Sequence, residues 1–166
     1  NKENIDKLIK YFLEKVDKEV QTNNYSPNDF IFCCPIMKGN IIATELETKL
    51  NDYWIEKLGN DEFFQYAVLH KHEDGQVIDM GSSINSSRIV TIRTSKGDGR
   101  KVVFVFGCNE KSLQLVSRSP DINLIYESYL HVALTRAKEK IYFVLEQNGD
   151  DIHKRFGANG LAPYQP

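Results

Sequence analysis

Three short segments of the chain are apolar almost without interruption. They read FIFCC (30–34), KVVFVFG (101–107) and KIYFVLE (140–146). A strand that is apolar along its whole length is typical of a sheet buried on both faces, because a strand with one face in water alternates apolar and polar residues. FFQYAVLH (63–70) and RIVTIR (88–93) are two further strand candidates. These segments predict a mostly parallel sheet that is covered on both sides.

Segments with helical periodicity alternate with these strands. KENIDKLIKYFLEKVDKEVQ (2–21), IIATELETKLNDYWIEKL (41–58) and INLIYESYLHVALTRAKE (122–139) each repeat apolar residues at intervals of three or four. Gly59 follows the second of them and is expected to end that helix. Strands that alternate with helices indicate an α/β fold of three layers, with helices on both faces of the sheet.

Size and composition limit the class of protein. A chain of 166 residues with a net charge of −2 and 41% hydrophobic residues is typical of one globular domain, and it excludes a polybasic tail. No apolar run reaches the roughly 18 residues of a membrane helix, and the N-terminus lacks the apolar core of a signal peptide. We therefore expect an intracellular location and no membrane partner. Cys33, Cys34 and Cys108 fit no disulfide or zinc pattern and are expected to be free, buried thiols.

A polar stretch between the strand candidates FFQYAVLH and RIVTIR contains KHEDGQ (71–76) and GSSINSS (81–87). Its composition predicts an exposed loop. His70 and His72 alternate before Glu73 and Asp74, as ligands of a metal ion could do. No second cluster of ligands completes such a shell in the sequence, so we predict no metal site.

The loop TSKGDGRK (94–101) follows the strand RIVTIR and precedes KVVFVFG. Gly97 and Gly99 allow positive φ angles and a close approach of backbone N–H groups to an anion. The surrounding positive charge comes from Arg93, Lys96, Arg100 and Lys101. Since ligands of a parallel sheet gather at the carboxyl ends of its strands, we expect the loop to bind phosphate at that edge. Gly-Asp-Gly between apolar runs is also typical of a charged hairpin turn. Composition alone favours that turn over a phosphate-binding loop.

The segment YLHVALTRAKEKIYFVL (129–145) contains a second group of basic residues. Arg136 lies near the expected helix end, and Lys138 and Lys140 follow it. Basic residues at this place also interact favourably with the helix dipole, which is an alternative explanation for the whole cluster.

Taken together, VTIRTSKGDGRKVVFVFG (90–107) and YLHVALTRAKEKIYFVL resemble motifs V and VI of the UvrD-like superfamily 1 helicases. The order, the spacing and the strands that follow agree, and DFIFCCPIMKGNIIATELETKL (29–50) resembles motif IV. The resemblance implies that residues 1–150 form the second RecA-like motor domain of a longer protein, with 151–166 as a C-terminal tail. No G-x-x-x-x-G-K-[ST] occurs in the chain, so it cannot be a complete NTPase. The N-terminal RecA-like domain of the same protein is the implied partner, with ATP and Mg²⁺ as the implied ligands of the whole protein.

The resemblance also implies roles for individual residues. Arg136 corresponds to the catalytic arginine finger, whose planar charged fork stabilises the γ-phosphate during transfer. The other implied ATP-binding residues are Gly97, Asp98, Gly99 and Arg100. The implied contacts to single-stranded nucleic acid, DNA in preference to RNA, are Thr91, Arg93, Thr94, Ser95 and Lys96.

Three positions differ from the family pattern. Arg93 stands where the family usually has histidine, and Gly99 stands where it has a glutamate that contacts the nucleotide sugar. The motif IV segment has no arginine, and Lys38 is its nearest cation. Two functions therefore stay open: an active helicase motor domain, or a catalytically inactive nucleic-acid-binding or interaction module with the RecA-like fold. The isolated chain is expected to hydrolyse no ATP in either case.

Overall fold

The computed structural model describes residues 1–71, 81–95, 97–117, 131–133 and 135–144. Within them the helices are α1 (Lys2–Asn23), α2 (Ile41–Leu58) and α3 (Glu110–Ser117), with a further helical segment at 131–133. The strands are β1 (Phe30–Cys34), β2 (Ala67–Leu69), β3 (Ser87–Thr91), β4 (Arg100–Val105) and β5 (Ala137–Phe143). They form one sheet in the order β2-β3-β1-β4-β5, and every neighbouring pair is parallel. The predicted α/β fold with a parallel sheet is confirmed.

Helices α1 and α2 cover one face of the sheet. Phe12 of α1 is fully buried, and its ring meets those of Phe32, Phe104 and Phe106 edge to face at centroid separations of 6.0, 5.8 and 5.5 Å. The same core contains Ile9, Val16, Leu46, Leu50, Trp54 and Val102. Aromatic pairs in this geometry add attraction beyond their buried area, so Phe12 is a principal link between helix and sheet.

The opposite face of the sheet carries a second core. Strand residues that alternate with those of the first core pack there against Leu113 of α3 and Ala133 of the helical segment; these strand residues are Ile31, Cys33, Val90, Val103 and Val105. Burial on both faces explains why β1 and β4 are apolar at nearly every position. Helices on both sides of the sheet were predicted, and the two cores agree with that prediction.

The first two predicted helices have the expected extent. Asn40 caps α2 by accepting a hydrogen bond from Ala43 N–H at 3.0 Å, and Gly59 ends it with φ +91° and a hydrogen bond to Ile55 O. Helix α3 was not predicted. The sequence signal that could have predicted it is a reciprocal cap formed by Asn109 and Ser112. Asn109 Oδ1 accepts a hydrogen bond from Ser112 N–H at 2.8 Å, and Ser112 Oγ accepts one from Asn109 N–H at 3.1 Å.

The predicted helix at 122–139 is wrong at its C-terminal end. Residues 131–133 are helical, but Thr135 and Arg136 form a turn and β5 begins at Ala137. The strand starts there because Ala137 pairs with Arg100 at the beginning of β4. Parallel pairing across the sheet therefore overrides local helical periodicity. Residues 122–130 and the tail 151–166 lie outside the described part of the chain.

The predicted strand at 63–70 is limited to Ala67–Leu69. In the polar stretch, residues 72–80 lie outside the described part of the chain, and residues 81, 82, 84 and 85 are exposed as predicted. Ser83 and Ser86, in contrast, are buried. The reason is hydrogen bonding, since Ser86 Oγ donates to Gln65 O at 2.6 Å and the Ser83 hydroxyl accepts from a buried arginine.

In the described part of the chain, no helix combines the length and apolarity that crossing a membrane requires.

Candidate functional site

The connection between β3 and β4, residues 92–99, joins two parallel strands that lie on either side of β1. It leaves β3 at the carboxyl edge of the sheet, where Ile92 N–H donates to Cys34 O at 2.9 Å. It returns to the amino edge, because β4 begins at Arg100 and runs parallel to β1. The prediction that this loop lies at the carboxyl edge is thus correct for its first residues and wrong for residues 97–100.

The first half of this connection contains the predicted nucleic-acid contacts. Thr94 N–H donates to Thr91 Oγ1 at 3.1 Å, and both side chains are partly exposed. Ser95 is fully buried, and its hydroxyl donates to Ile92 O at 2.5 Å. Arg93 is exposed, with Nη2 at 3.5 Å from Val116 O. Because Ser95 is buried, the accessible polar side chains among the described residues of this half are Arg93, Thr91 and Thr94. Lys96, the remaining predicted contact, lies outside the described residues.

In the second half of the connection, Asp98 joins two buried arginines. Its Oδ2 lies 2.5 Å from Arg88 Nη1, and its Oδ1 lies 3.3 Å from Arg100 Nε. The exposed fractions of the three side chains are 17% for Asp98, 8% for Arg88 and 4% for Arg100. Solvent therefore screens these ion pairs little. We call Arg88, Asp98 and Arg100 the arginine–aspartate network.

Arg100 is the first residue of β4, and it connects the network to the beginnings of β1 and β3. Its Nη1 donates to the carbonyl oxygens of Asn28, Phe30 and Ser86 at 2.9, 3.4 and 2.5 Å. Burial lowers the pKa of the Arg100 guanidinium below its ordinary value, while the charge of Asp98 opposes that shift. The group remains charged, because an arginine in a protein does not lose its proton. Arg100 thus has a structural role in addition to the predicted contact with ATP.

Arg88 extends the network towards β2. Its Nε donates to Ser83 Oγ at 2.9 Å, and His70 Nε2 lies 2.6 Å from the same oxygen. Sequence reasoning did not identify Arg88, Ser83 or this role of His70. A charged residue at the start of an otherwise apolar strand was the available signal, since a buried charge requires a partner. His72, the other histidine weighed as a metal ligand, lies outside the described residues.

Arg136 brings the two helicase-like segments together. Its carbonyl oxygen accepts a hydrogen bond from Arg100 N–H at 3.0 Å, so residues from the middle of each segment meet at the amino edge of the sheet. Its side chain is partly buried, and Nε donates to Val132 O at 3.2 Å while Nη2 donates to Thr135 Oγ1 at 3.2 Å. The guanidinium therefore lies against the last turn of its own helix, which is the geometry of the helix-dipole alternative. That alternative fails for Lys138 and Lys140, which belong to β5.

A cleft of about 590 Å³ opens at the amino edge beside the network. We call it the amino-edge cleft, and it is lined by Asn28, Asp29, Ile84, Arg88, Thr94, Gly97, Asp98, Gly99, Arg100, Lys101 and Lys138. All four predicted ATP-binding residues of the loop line this cleft, whereas Arg136 does not. The cationic side chains and the two glycines among these lining residues make the cleft suited to an anion.

The three cysteines contribute no reactive thiol to the site. Cys33, Cys34 and Cys108 are free and buried, as predicted. Burial raises the pKa of both Cys33 and Cys34 to about 12, so these thiols stay protonated at neutral pH. Within the described residues, no three His, Cys, Asp or Glu side chains are grouped so that they could hold a metal ion.

Comparison of the chain with protein-family models and with curated proteins finds no match. The resemblance to helicases consequently depends on the sequence segments quoted above.

Proposed function

We propose that this chain is the second RecA-like motor domain of an ATP-dependent helicase or translocase acting on single-stranded nucleic acid, DNA in preference to RNA. A parallel α/β fold alone serves many functions and does not carry the proposal. The supporting observation is the contact between the two helicase-like segments, in which Arg100 N–H donates to Arg136 O at 3.0 Å. An arginine finger and a phosphate-contacting loop need this proximity to act on one nucleotide.

In this proposal, ATP binds between the chain and the N-terminal RecA-like domain of the same protein. Arg136 would exchange its present contacts for the γ-phosphate. Those contacts are hydrogen bonds from the guanidinium to the neutral acceptors Val132 O and Thr135 Oγ1. A phosphate would replace these neutral acceptors with charged oxygens that match the guanidinium fork, so the exchange is favourable once the nucleotide is bound.

Magnesium is assigned to the N-terminal domain and the nucleotide. Asp98 pairs with Arg88 and Arg100, and Asp29 lies 3.7 Å from Lys101 Nζ. The carboxylates of the amino-edge cleft are thus already engaged with cations, so they do not suit a hard divalent ion. The chain's own contribution is positive charge, which stabilises the transferring phosphoryl group.

A strand of nucleic acid would lie along the first half of the 92–99 connection. Arg93 is exposed there, and Thr91 and Thr94 present partly exposed hydroxyls. Such groups bind phosphate and sugar without reading the base sequence, as a translocating motor requires. The same connection continues to Asp98 and Arg100, which gives a covalent path from the strand contacts to the nucleotide contacts.

The second candidate is a catalytically inactive nucleic-acid-binding or interaction module with the same fold. Asp98 and Arg100 join buried strands, and the Arg136 guanidinium covers a helix end. Each of these residues therefore has a structural role that needs no nucleotide.

ATP hydrolysis by the longer protein, stimulated by single-stranded DNA, separates the two candidates. We expect Arg136→Ala to lower kcat by roughly 10³-fold or more, as loss of an arginine finger does. Arg136→Lys should not restore the rate, because lysine lacks the planar fork. Lys10→Ala, at a side chain of α1 that is 78% exposed, is the control and should leave kcat unchanged. A wild-type protein without any hydrolysis would overturn the motor proposal in favour of the binding module.

A further inference from the structure

The amino-edge cleft has more positive than negative charge among its described lining residues. Four of these are cationic, namely Arg88, Arg100, Lys101 and Lys138, and two are acidic, namely Asp29 and Asp98. Asp98 is shared by both arginines, and Asp29 faces Lys101 while accepting a hydrogen bond from Ser26 N–H at 2.7 Å. Lys138 is exposed and forms no ion pair with another described residue. An anion entering the cleft would therefore meet a cation that no carboxylate of the described residues neutralises.

Two glycines contribute backbone donors to the same cleft as Lys138. Gly97 and Gly99 line the cleft, and neither N–H donates to an acceptor among the described residues, whereas Asp98 N–H donates to Ser95 O and Arg100 N–H donates to Arg136 O. Gly97 has φ +86°, which other residues adopt only with strain. Because the N–H groups of Asp98 and Arg100 already have acceptors and those of the two glycines have none among the described residues, the glycine N–H groups are available to a ligand.

Lys138 lies directly over this part of the backbone. A Cβ atom built on Gly99 would come within 3.3 Å of Lys138 Cε, so the ammonium end of the side chain occupies the space above the glycine. The absence of a side chain at position 99 is what admits it. Lys138 belongs to β5 and Gly99 to the loop before β4, and the pairing of Arg100 with Ala137 brings them together.

We propose that Lys138 and the N–H groups of Gly97 and Gly99 form a binding seat for one phosphate group. The seat recognises charge and not base or sugar, because no aromatic ring lines the cleft among the described residues and both of its carboxylates are engaged with cations. A nucleotide and a nucleic-acid backbone both offer that phosphate. The inference rests on the proposed function for the use of the 92–99 connection as a ligand site, but it does not require hydrolysis.

The seat can be tested by titrating the ¹⁵N-labelled 166-residue chain and following the Gly97 and Gly99 amide resonances. The ligands are pyrophosphate, ATP, GTP and an oligo(dT) strand, each at constant ionic strength. We expect saturable shifts of both amides. Lys138→Gln should weaken binding about tenfold or more, the effect of losing one charge-assisted hydrogen bond. The matched control Lys10→Gln should bind as the wild type does.

Gly99→Ala tests the seat without changing its charge. The added methyl group would displace the end of Lys138 by a few tenths of an ångström, so binding should weaken while the remaining sheet amides keep their positions. Saturation by ATP and GTP alike, or by oligo(dT) alone, supports the seat and identifies the phosphate source.

The seat is overturned if no ligand shifts the glycine amides, or if Lys138→Gln binds as tightly as the wild type. Recognition of charge alone is overturned if ATP binds more than tenfold tighter than GTP. These outcomes are independent of the Arg136 assay: a longer protein that lacks ATP hydrolysis, with the seat intact, refutes the motor and not the seat.

Discussion

Asp98→Asn removes the charge that Arg88 and Arg100 share while it keeps the size of the side chain. The arginines lie 2.5 and 3.3 Å from its two oxygens, and Arg100 also joins the beginnings of three strands. In the variant, two buried guanidinium groups would face one neutral amide. We therefore expect the substitution to lower the free energy of unfolding of the whole domain, because a buried charge that loses its partner is strongly destabilising.

The exposed fractions of the side chains decide how large this effect is. They are 8%, 4% and 17% for Arg88, Arg100 and Asp98, against 71% and 69% for the surface pair Lys7–Glu3. Surface pairs contribute about 0–1 kcal/mol, whereas removing one partner of a buried pair costs about 3–5 kcal/mol. Asp98 is not completely buried and asparagine keeps one acceptor oxygen, so we expect about 3 kcal/mol. For a chain of 166 residues this lowers Tm by about 6–12 °C.

Urea unfolding followed by circular dichroism measures this loss, with Glu3→Gln as a control in which an exposed carboxylate becomes an amide. The double variant Arg88→Met with Asp98→Asn should lose less stability than the sum of the two single variants, because one charge is then removed together with its partner. If Asp98→Asn unfolds within about 0.5 kcal/mol of the wild type, as surface substitutions do, the ion pairs contribute little and the reasoning is refuted.

Two further predictions concern α1. Burial acts to raise the pKa of Glu19, but hydrogen bonds from Lys140 and Tyr142 outweigh it and hold the pKa below the ordinary 4.5. The stability from these contacts is present above pH 4.5 and is lost as the pH falls through the lowered pKa, so Glu19→Gln should flatten the acid limb of a stability–pH profile measured by urea unfolding; an unchanged limb would contradict this. Phe12→Ala should cost about 3–5 kcal/mol in the same assay, because it opens a cavity among three aromatic rings. Phe63→Ala, at a side chain that is 97% exposed, should be nearly neutral, and equal effects of the two would contradict the core assignment.

Local patterns predicted the elements whose stabilising contacts follow from neighbouring positions in the chain. Helices α1 and α2 have apolar stripes of helical period and residues that cap their ends, such as Asn40 and Gly59. Strand β1 and residues 102–105 of β4 are continuously apolar because both faces are covered, which also indicates parallel pairing. The candidate residues of the 97–100 turn and Arg136 came from segments that resemble motifs V and VI of a helicase family, and their roles stay predictions.

The amino-acid sequence by itself therefore determined the fold class and a set of candidate residues. Only the tertiary structure decided that residues 97–100 lie at the amino edge of the sheet and that Arg136 belongs to a turn and not to a helix. It also decided that Lys138 lies over Gly99. The physical reason is the range of the interactions. Helical periodicity and caps act over about four residues, whereas the pairing of Arg100 with Ala137 and the hydrogen bonds from Arg100 to Asn28 O and Phe30 O join positions that only the packed sheet brings together.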